Sequence, residues 1–138
     1  MAGTPLNSPA AEREAAAALD AYAEGFVVVL HRTQDLVNIA GTARAMLNMG
    51  LRRLRLVRPA EFDERRILGI AHGAEAVLAR TEFFDTLDAA LADAGHAVGT
   101  TARRRTAPYV WQTPREAAPE LVARAAGGPG GRGARPPS

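Results

Sequence analysis

Residues 26–57 run FVVVLHRTQDLVNIAGTARAMLNMGLRRLRLV and change texture twice. Phe26-Val27-Val28-Val29-Leu30 is a short, continuous, mostly β-branched run, the pattern of a strand buried on both faces of a parallel sheet. Leu36, Ile39, Ala43, Met46 and Leu47 then recur at helical spacing, and Gly50 supplies the stop. Leu54-Arg55-Leu56-Val57 reads as a second strand, closed by Pro59. A compact strand, helix, strand unit of this kind is parallel and right-handed in nearly every case.

Working outward, Glu61 to Ile70 is expected to be a helix and Ala74 to Ala79 a short turn of one. Glu82-Phe83-Phe84 reads as a third strand, Leu87 to Ala94 as a helix capped by Asp85 or Thr86, and His96-Ala97-Val98-Gly99 as a fourth strand. After the polar segment Thr100 to Pro114, Pro114-Arg115-Glu116 opens another helix with proline at its first turn. The alternation of strands and helices sets the fold class as α/β, an open parallel sheet with flanking helices.

The ends have a different character. Residues 1–24 read as a loose, Ala-rich extension, with helix-favouring sequence from Ala10 to Glu24 in which only Leu19 and Tyr22 are large enough to dock. Residues 25–126 form the domain. Residues 127–138, GGPGGRGARPPS, contain five glycines and three prolines and are expected to be a disordered Gly/Pro/Arg tail.

Length and composition narrow the function classes. A chain of 138 residues has room for one small core. It contains no cysteine, which excludes disulfides, thiolate zinc sites and cysteine nucleophiles, and its three histidines, His31, His72 and His96, are far apart. No run approaches the roughly 20 apolar residues that span a bilayer, and no basic segment followed by an apolar one opens the chain. A cytoplasmic protein with no membrane association is the expectation. All 17 basic residues are arginines. Residues 44–66 carry seven of them against three acids and residues 101–138 seven against two, while residues 67–100 carry one against five. Two basic segments around an acidic one suit a phosphate-bearing partner, because guanidinium groups match phosphate oxygens bidentately. A GC-rich genome, replacing lysine codons by arginine codons throughout, accounts for the same composition.

Several ordered motifs carry a resemblance. Val27-Val28-Val29-Leu30, the stretch from Asn38-Ile39-Ala40-Gly41-Thr42-Ala43-Arg44 to Met49-Gly50-Leu51, and Leu54-Arg55-Leu56-Val57-Arg58-Pro59 come first. Ala71-His72-Gly73-Ala74-Glu75, Phe84-Asp85-Thr86-Leu87, Val98-Gly99-Thr100-Thr101-Ala102-Arg103-Arg104-Arg105 and Thr113-Pro114-Arg115-Glu116 follow in order. Over roughly residues 26–126 the chain resembles the SpoU-like RNA 2'-O-ribose methyltransferases, most of all those acting on tRNA cytidine and uridine. The resemblance implies the N-terminal part of an α/β-knot (SPOUT) methyltransferase domain, truncated before the trefoil knot. It implies S-adenosylmethionine as methyl donor, RNA and specifically tRNA as partner, and a homodimer for the full-length family member.

For individual residues, the resemblance places Asn38 and Arg44 in the family's first motif, where the arginine approaches the target ribose and its phosphate. It places Thr100, Thr101 and Ala102 in a loop lining part of the cofactor pocket, and Arg103 and Arg105 where RNA contacts are expected. The chemistry of Arg44 can also be argued directly: a guanidinium beside a ribose 2'-oxygen and its phosphate orients the ribose and stabilises a developing alkoxide. The alternative is a solvated helix arginine paired with Asp35 or Glu61. Asn38 could equally be a helix-start residue bonded to its own backbone. The Arg103 to Arg105 run, with Tyr109 and Trp111 behind it, suits phosphate contact with base stacking; a solvated loop has the same composition. His31, at a strand end, reads as a packed or capped histidine.

Two departures from the family pattern stand out. Gly41 follows Ala40, where the family commonly has the glycine first. The second and third motifs, a strand into a glycine-rich loop with a glutamate and an Asn-Leu-Ser-like turn, do not follow Ala126, so the expected pocket is incomplete and the expected chain inactive, a non-catalytic RNA-binding remnant being the alternative. The texture beyond Gly127 matches out-of-frame translation of GC-rich DNA, and an uncovered sheet edge is expected to make the isolated chain marginally stable. An unrelated nucleotide-binding α/β domain is disfavoured, because no G-x-G-x-x-G or G-x-x-x-x-G-K-[ST] loop follows the first strand.

Overall fold

The computed structural model describes residues 8–100 and 112–127. In chain order these form α1 (Pro9–Gly25), β1 (Val27–His31), α2 (Leu36–Met49), β2 (Arg53–Val57), α3 (Glu64–Ile70), α4 (Glu75–Ala79), β3 (Glu82–Phe84), α5 (Leu87–Leu91) and α6 (Pro114–Ala125). The three strands make one parallel sheet in the order β1-β2-β3. Val28 pairs with Leu54 and Leu30 with Leu56, so the period-2 alternation sends these four side chains to one face.

The core lies on that face. Leu36, Ile39, Ala40, Ala43 and Met46 of α2 pack with Leu54, Leu56, Ile67, Val77 and Leu78, while Val28 and Leu30 are half-buried against them. β2 is the central strand, with Leu54 to Val57 all buried; β1 is half-buried along most of its length. The expectation of a β1 buried on both faces is therefore corrected. Its Val27 and Val29 face the second side of the sheet, which the described residues cover only in part.

Two other expected boundaries move for identifiable reasons. The helix expected from Glu61 starts at Glu64, because Asp63 caps it by accepting from the Arg66 N–H at 3.1 Å. Glu61 instead turns outward to accept from the Leu36 N–H at 3.3 Å. The helix expected over Leu87 to Ala94 ends at Leu91. Thr86 caps its start, and the Ala90 carbonyl is taken by the Arg55 guanidinium at 2.8 Å.

His96 to Gly99 is not a strand: the segment is irregular, and Val98 is exposed. A strand exists only by pairing, and among the described residues these four find no partner on the sheet. They hold one β-branched residue, follow Gly95 and end on Gly99, so local preference does not compensate. The helix predicted at Pro114 forms, with a capping box in which Thr113 accepts from the Glu116 N–H and Glu116 accepts from the Thr113 N–H at 2.7 Å.

α1 docks through Tyr22 and Ala23 rather than Leu19. Leu19 is exposed, whereas Ala23 is buried and Tyr22 stacks edge-on against Phe26 with ring centroids 5.1 Å apart. Asp20 pairs with Arg52 at 2.9 Å, and Glu24 holds both terminal nitrogens of Arg80. The end of α1 meets the end of α6 so closely that a methyl group at Gly25 would run into the Ala125 carbonyl.

Backbone strain is confined to equivalent places. Arg32 and Arg58, the residues immediately after β1 and β2, have φ of 55° and 44°. Each costs about 1–2 kcal/mol relative to a right-handed conformation. Both are held by one hydrogen bond to the next strand, Arg32 N–H to Val57 C=O at 2.8 Å and Arg58 N–H to Phe84 C=O at 3.2 Å.

Two glycine substitutions separate close packing from helix propensity. Gly25→Ala is expected to lower unfolding stability by about 1–3 kcal/mol through forced displacement of α6. Gly69→Ala, where an added methyl meets nothing, should raise it by up to about 1 kcal/mol. Urea unfolding of the two variants checks both signs.

Candidate functional site

α2 is the element that positions the first candidate residues. Asp35 caps it, accepting from the Val37 N–H at 2.9 Å. Gly50, at φ 72°, ends it in a left-handed turn that lets the Leu51 N–H reach the Met46 carbonyl at 2.8 Å. With Leu36, Ile39, Ala40, Ala43 and Met46 buried, the outward face carries Val37, Asn38, Gly41, Arg44, Ala45 and Asn48. No acidic residue occurs anywhere in α2.

Arg44 is exposed and forms no ion pair with any described residue. Its two alternative partners are occupied: Asp35 serves as the helix cap, and Glu61 receives Leu36 N–H and lies 3.5 Å from Arg66. Asn38 is exposed as well, and the capping role open to it belongs to Asp35. The six-residue separation puts Asn38 and Arg44 about 9 Å apart along the helix axis and about 120° apart around it. They flank one solvent-facing surface without touching.

The other candidates are not gathered beside them. Thr100 is exposed at the end of the irregular segment after α5, and Thr101, Ala102, Arg103 and Arg105 lie outside the described residues, as do Tyr109 and Trp111. His31 ends β1 exposed rather than packed, which corrects that expectation.

Sequence reasoning missed a heavily bonded side chain at the centre of the sheet. Arg55 is 4% exposed. Its guanidinium grips Asp93 with two bonds, Nη1 to Oδ1 at 2.6 Å and Nη2 to Oδ2 at 2.7 Å, and also reaches the Ala90 carbonyl at 2.8 Å and Glu82 at 3.2 Å. The Phe84 ring lies 5.3 Å from the guanidinium carbon. The available signal was a charge inside an apolar strand, on the face opposite Leu54 and Leu56. Bidentate bonding to Arg55 pulls the Asp93 carboxyl below its usual pKa and raises that of Arg55 further.

A cleft of about 500 Å³ opens beside this cluster, bounded by Val27, Val29, Arg53, Arg55, His96 and Arg124 among others. It lies on the face of the sheet away from α2, and Thr100 does not line it. Its wall sets Arg53, Arg55 and Arg124 against Glu24 and Asp93, with Arg55 paired to Asp93 and Arg124 to Glu120, so its charges are balanced rather than cationic. No described helix is long and apolar enough to cross a membrane.

No protein-family profile matches the chain. Its fold and sequence are nonetheless shared with solved methylases. A crystal structure of TrmJ from Zymomonas mobilis (Z. mobilis ZM4) superposes with a TM-score of 0.65 at 38% identity, covering 69% of this chain and 43% of the other. A putative methylase family protein from Neisseria gonorrhoeae superposes with a TM-score of 0.67 at 38% identity, covering 75% and 57%. Over these residues the chain is homologous to the SpoU-like methylases. Within that class, its curated relatives are tRNA (cytidine/uridine-2'-O-)-methyltransferases named TrmJ: those of Escherichia coli (strain K12) and Salmonella typhimurium are each 41% identical over 102 residues, 74% of this chain. The chain spans 42% of the length of those relatives.

The Arg55–Asp93 pair sets an acid dependence. Asp93 binds its proton at lower pH in the native state than in the unfolded chain, so the pair stabilises the fold above the unfolded pKa, about 4. That contribution is lost as pH falls through the lower native pKa. Asp93→Asn should flatten this part of the acid limb and lower stability at pH 7 by about 1–2 kcal/mol, a value reduced from that of a fully buried pair because Asp93 is open to solvent. Chemical unfolding of both proteins between pH 7 and pH 2 measures each effect.

Proposed function

We propose that this chain serves tRNA 2'-O-ribose methylation as the RNA-facing portion of a methyltransferase domain, and that these residues bind RNA without transferring a methyl group by themselves. The 41% identity to tRNA (cytidine/uridine-2'-O-)-methyltransferases carries the reading. The exposed arginine on an acid-free helix face supports it.

In this reading Arg44 holds the target ribose. Its fork donates to the 2'-oxygen and the adjoining phosphate, favouring an in-line approach and stabilising negative charge as it develops on that oxygen. Asn38, at the same end of the surface as the cap, orients the sugar. Arg103 and Arg105 add phosphate contacts, and Thr100, Thr101 and Ala102 border the bound methyl donor, S-adenosylmethionine. The full catalytic unit is a homodimer.

Filter binding of labelled tRNA to the purified chain tests the reading. Binding should weaken steeply with salt, and Arg44→Ala should weaken it about tenfold, the worth of one charge-assisted hydrogen bond. Methyl transfer from labelled S-adenosylmethionine to tRNA by the wild-type chain, lost in Arg44→Ala, would overturn the claim of inactivity while supporting the family role. Salt-independent binding, or none, would overturn the RNA-facing assignment.

A further inference from the structure

Arg32 and Arg58 share three properties that no packing requirement explains. Each is the first residue after a parallel strand, each takes the left-handed conformation that favours glycine or asparagine, and each is exposed. Since His31 pairs with Val57, the two arginines follow paired positions on neighbouring strands, whose backbones run about 4.8 Å apart. Neither has a carboxylate within ion-pair distance among the described residues. The side-chain bond that Arg58 makes is from Nε to the Asp85 carbonyl at 2.9 Å, which leaves its two terminal nitrogens pointed elsewhere. Gln34 bonds only to the backbone carbonyl of Arg32.

The loops that carry them are fixed. The Ala60 N–H donates to the Thr33 carbonyl at 2.9 Å, tying the segment after β1 to the segment after β2. The pair therefore sits on a braced ledge at the carboxyl end of the sheet, where open α/β folds bind their ligands, just ahead of the start of α2.

We propose that Arg32 and Arg58 together form a phosphate clamp that holds one or two phosphodiesters of the RNA backbone at the carboxyl edge of the sheet. The inference rests on the RNA-facing reading of the chain and extends it to residues outside the Asn38 and Arg44 motif. A phosphate at this edge uses the bidentate geometry that arginine offers to phosphate oxygens and meets two guanidinium groups that have no carboxylate partner among the described residues.

The double variant Arg32→Asn/Arg58→Asn tests this, because asparagine tolerates the left-handed conformation and keeps the fold. Its melting temperature should equal or exceed that of the wild type. The slope of log affinity for tRNA against log salt should fall in magnitude by about 1.4–1.8, the share of two phosphate contacts. That change corresponds to roughly a tenfold smaller loss of affinity between about 50 and 200 mM salt. Arg13→Gln/Arg115→Gln, which removes the same charge from exposed positions on α1 and α6, should leave the slope unchanged. An unchanged slope in the first variant, or an equal fall in the second, overturns the clamp and leaves the RNA-facing reading standing. Absence of salt-dependent tRNA binding in the wild type overturns both.

Discussion

The guanidinium of Arg55 is the point on which the second face of the sheet depends. A buried arginine is stable only when its donors are met, and here Asp93, Glu82 and the Ala90 carbonyl meet them while the Phe84 ring lies alongside. One side chain thereby fixes the central strand to β3 and to the end of α5. Where the core face is held by apolar packing, this face is held by a single polar hub, and its geometry is directional in a way that packing is not.

The unit from Val27 to Val57 was legible because both of its periodicities are local. Alternation in the strands and the i, i+3, i+7 spacing in α2 need no knowledge of distant residues, and Gly50 announces its left-handed turn. Two features were not legible. The Arg55 hub joins residues 27, 35 and 38 positions apart, and nothing in the sequence says which acid an arginine in a strand will meet. His96 to Gly99 looked like a strand from composition, yet strand identity is conferred by a neighbour, and the described residues supply none. The candidate site divides along the same line. Arg44 could be placed on the outer face of α2 from spacing alone, whereas its freedom from Asp35 and Glu61 follows from a cap and a crossing contact that only three dimensions reveal.

The described arginines fall into two groups, those held by carboxylates and those that are not. On the cleft side, arginines are neutralised: Arg55 by Asp93 and Glu82, Arg124 by Glu120. On the α2 side and along the carboxyl edge, Arg44, Arg32 and Arg58 have no carboxylate partner among the described residues. A uniform codon bias explains why every cation is arginine; which of them meet a carboxylate is decided by the fold.

The contact of Gly25 with Ala125 links the first helix of the chain to the last, about one hundred positions apart. On a ribosome moving at roughly 5–20 residues per second, α1 emerges about 5–20 s before the helix that completes its seat. A helix in a protein draws most of its stability from the packing of one face, and α1 is no exception. During that interval its attachment rests on Tyr22, Ala23 and the ion pairs of Asp20 and Glu24, which themselves await Arg52 and Arg80. α1 is therefore synthesised well before α6 completes its seat, and that interval leaves it open to chaperones and proteases.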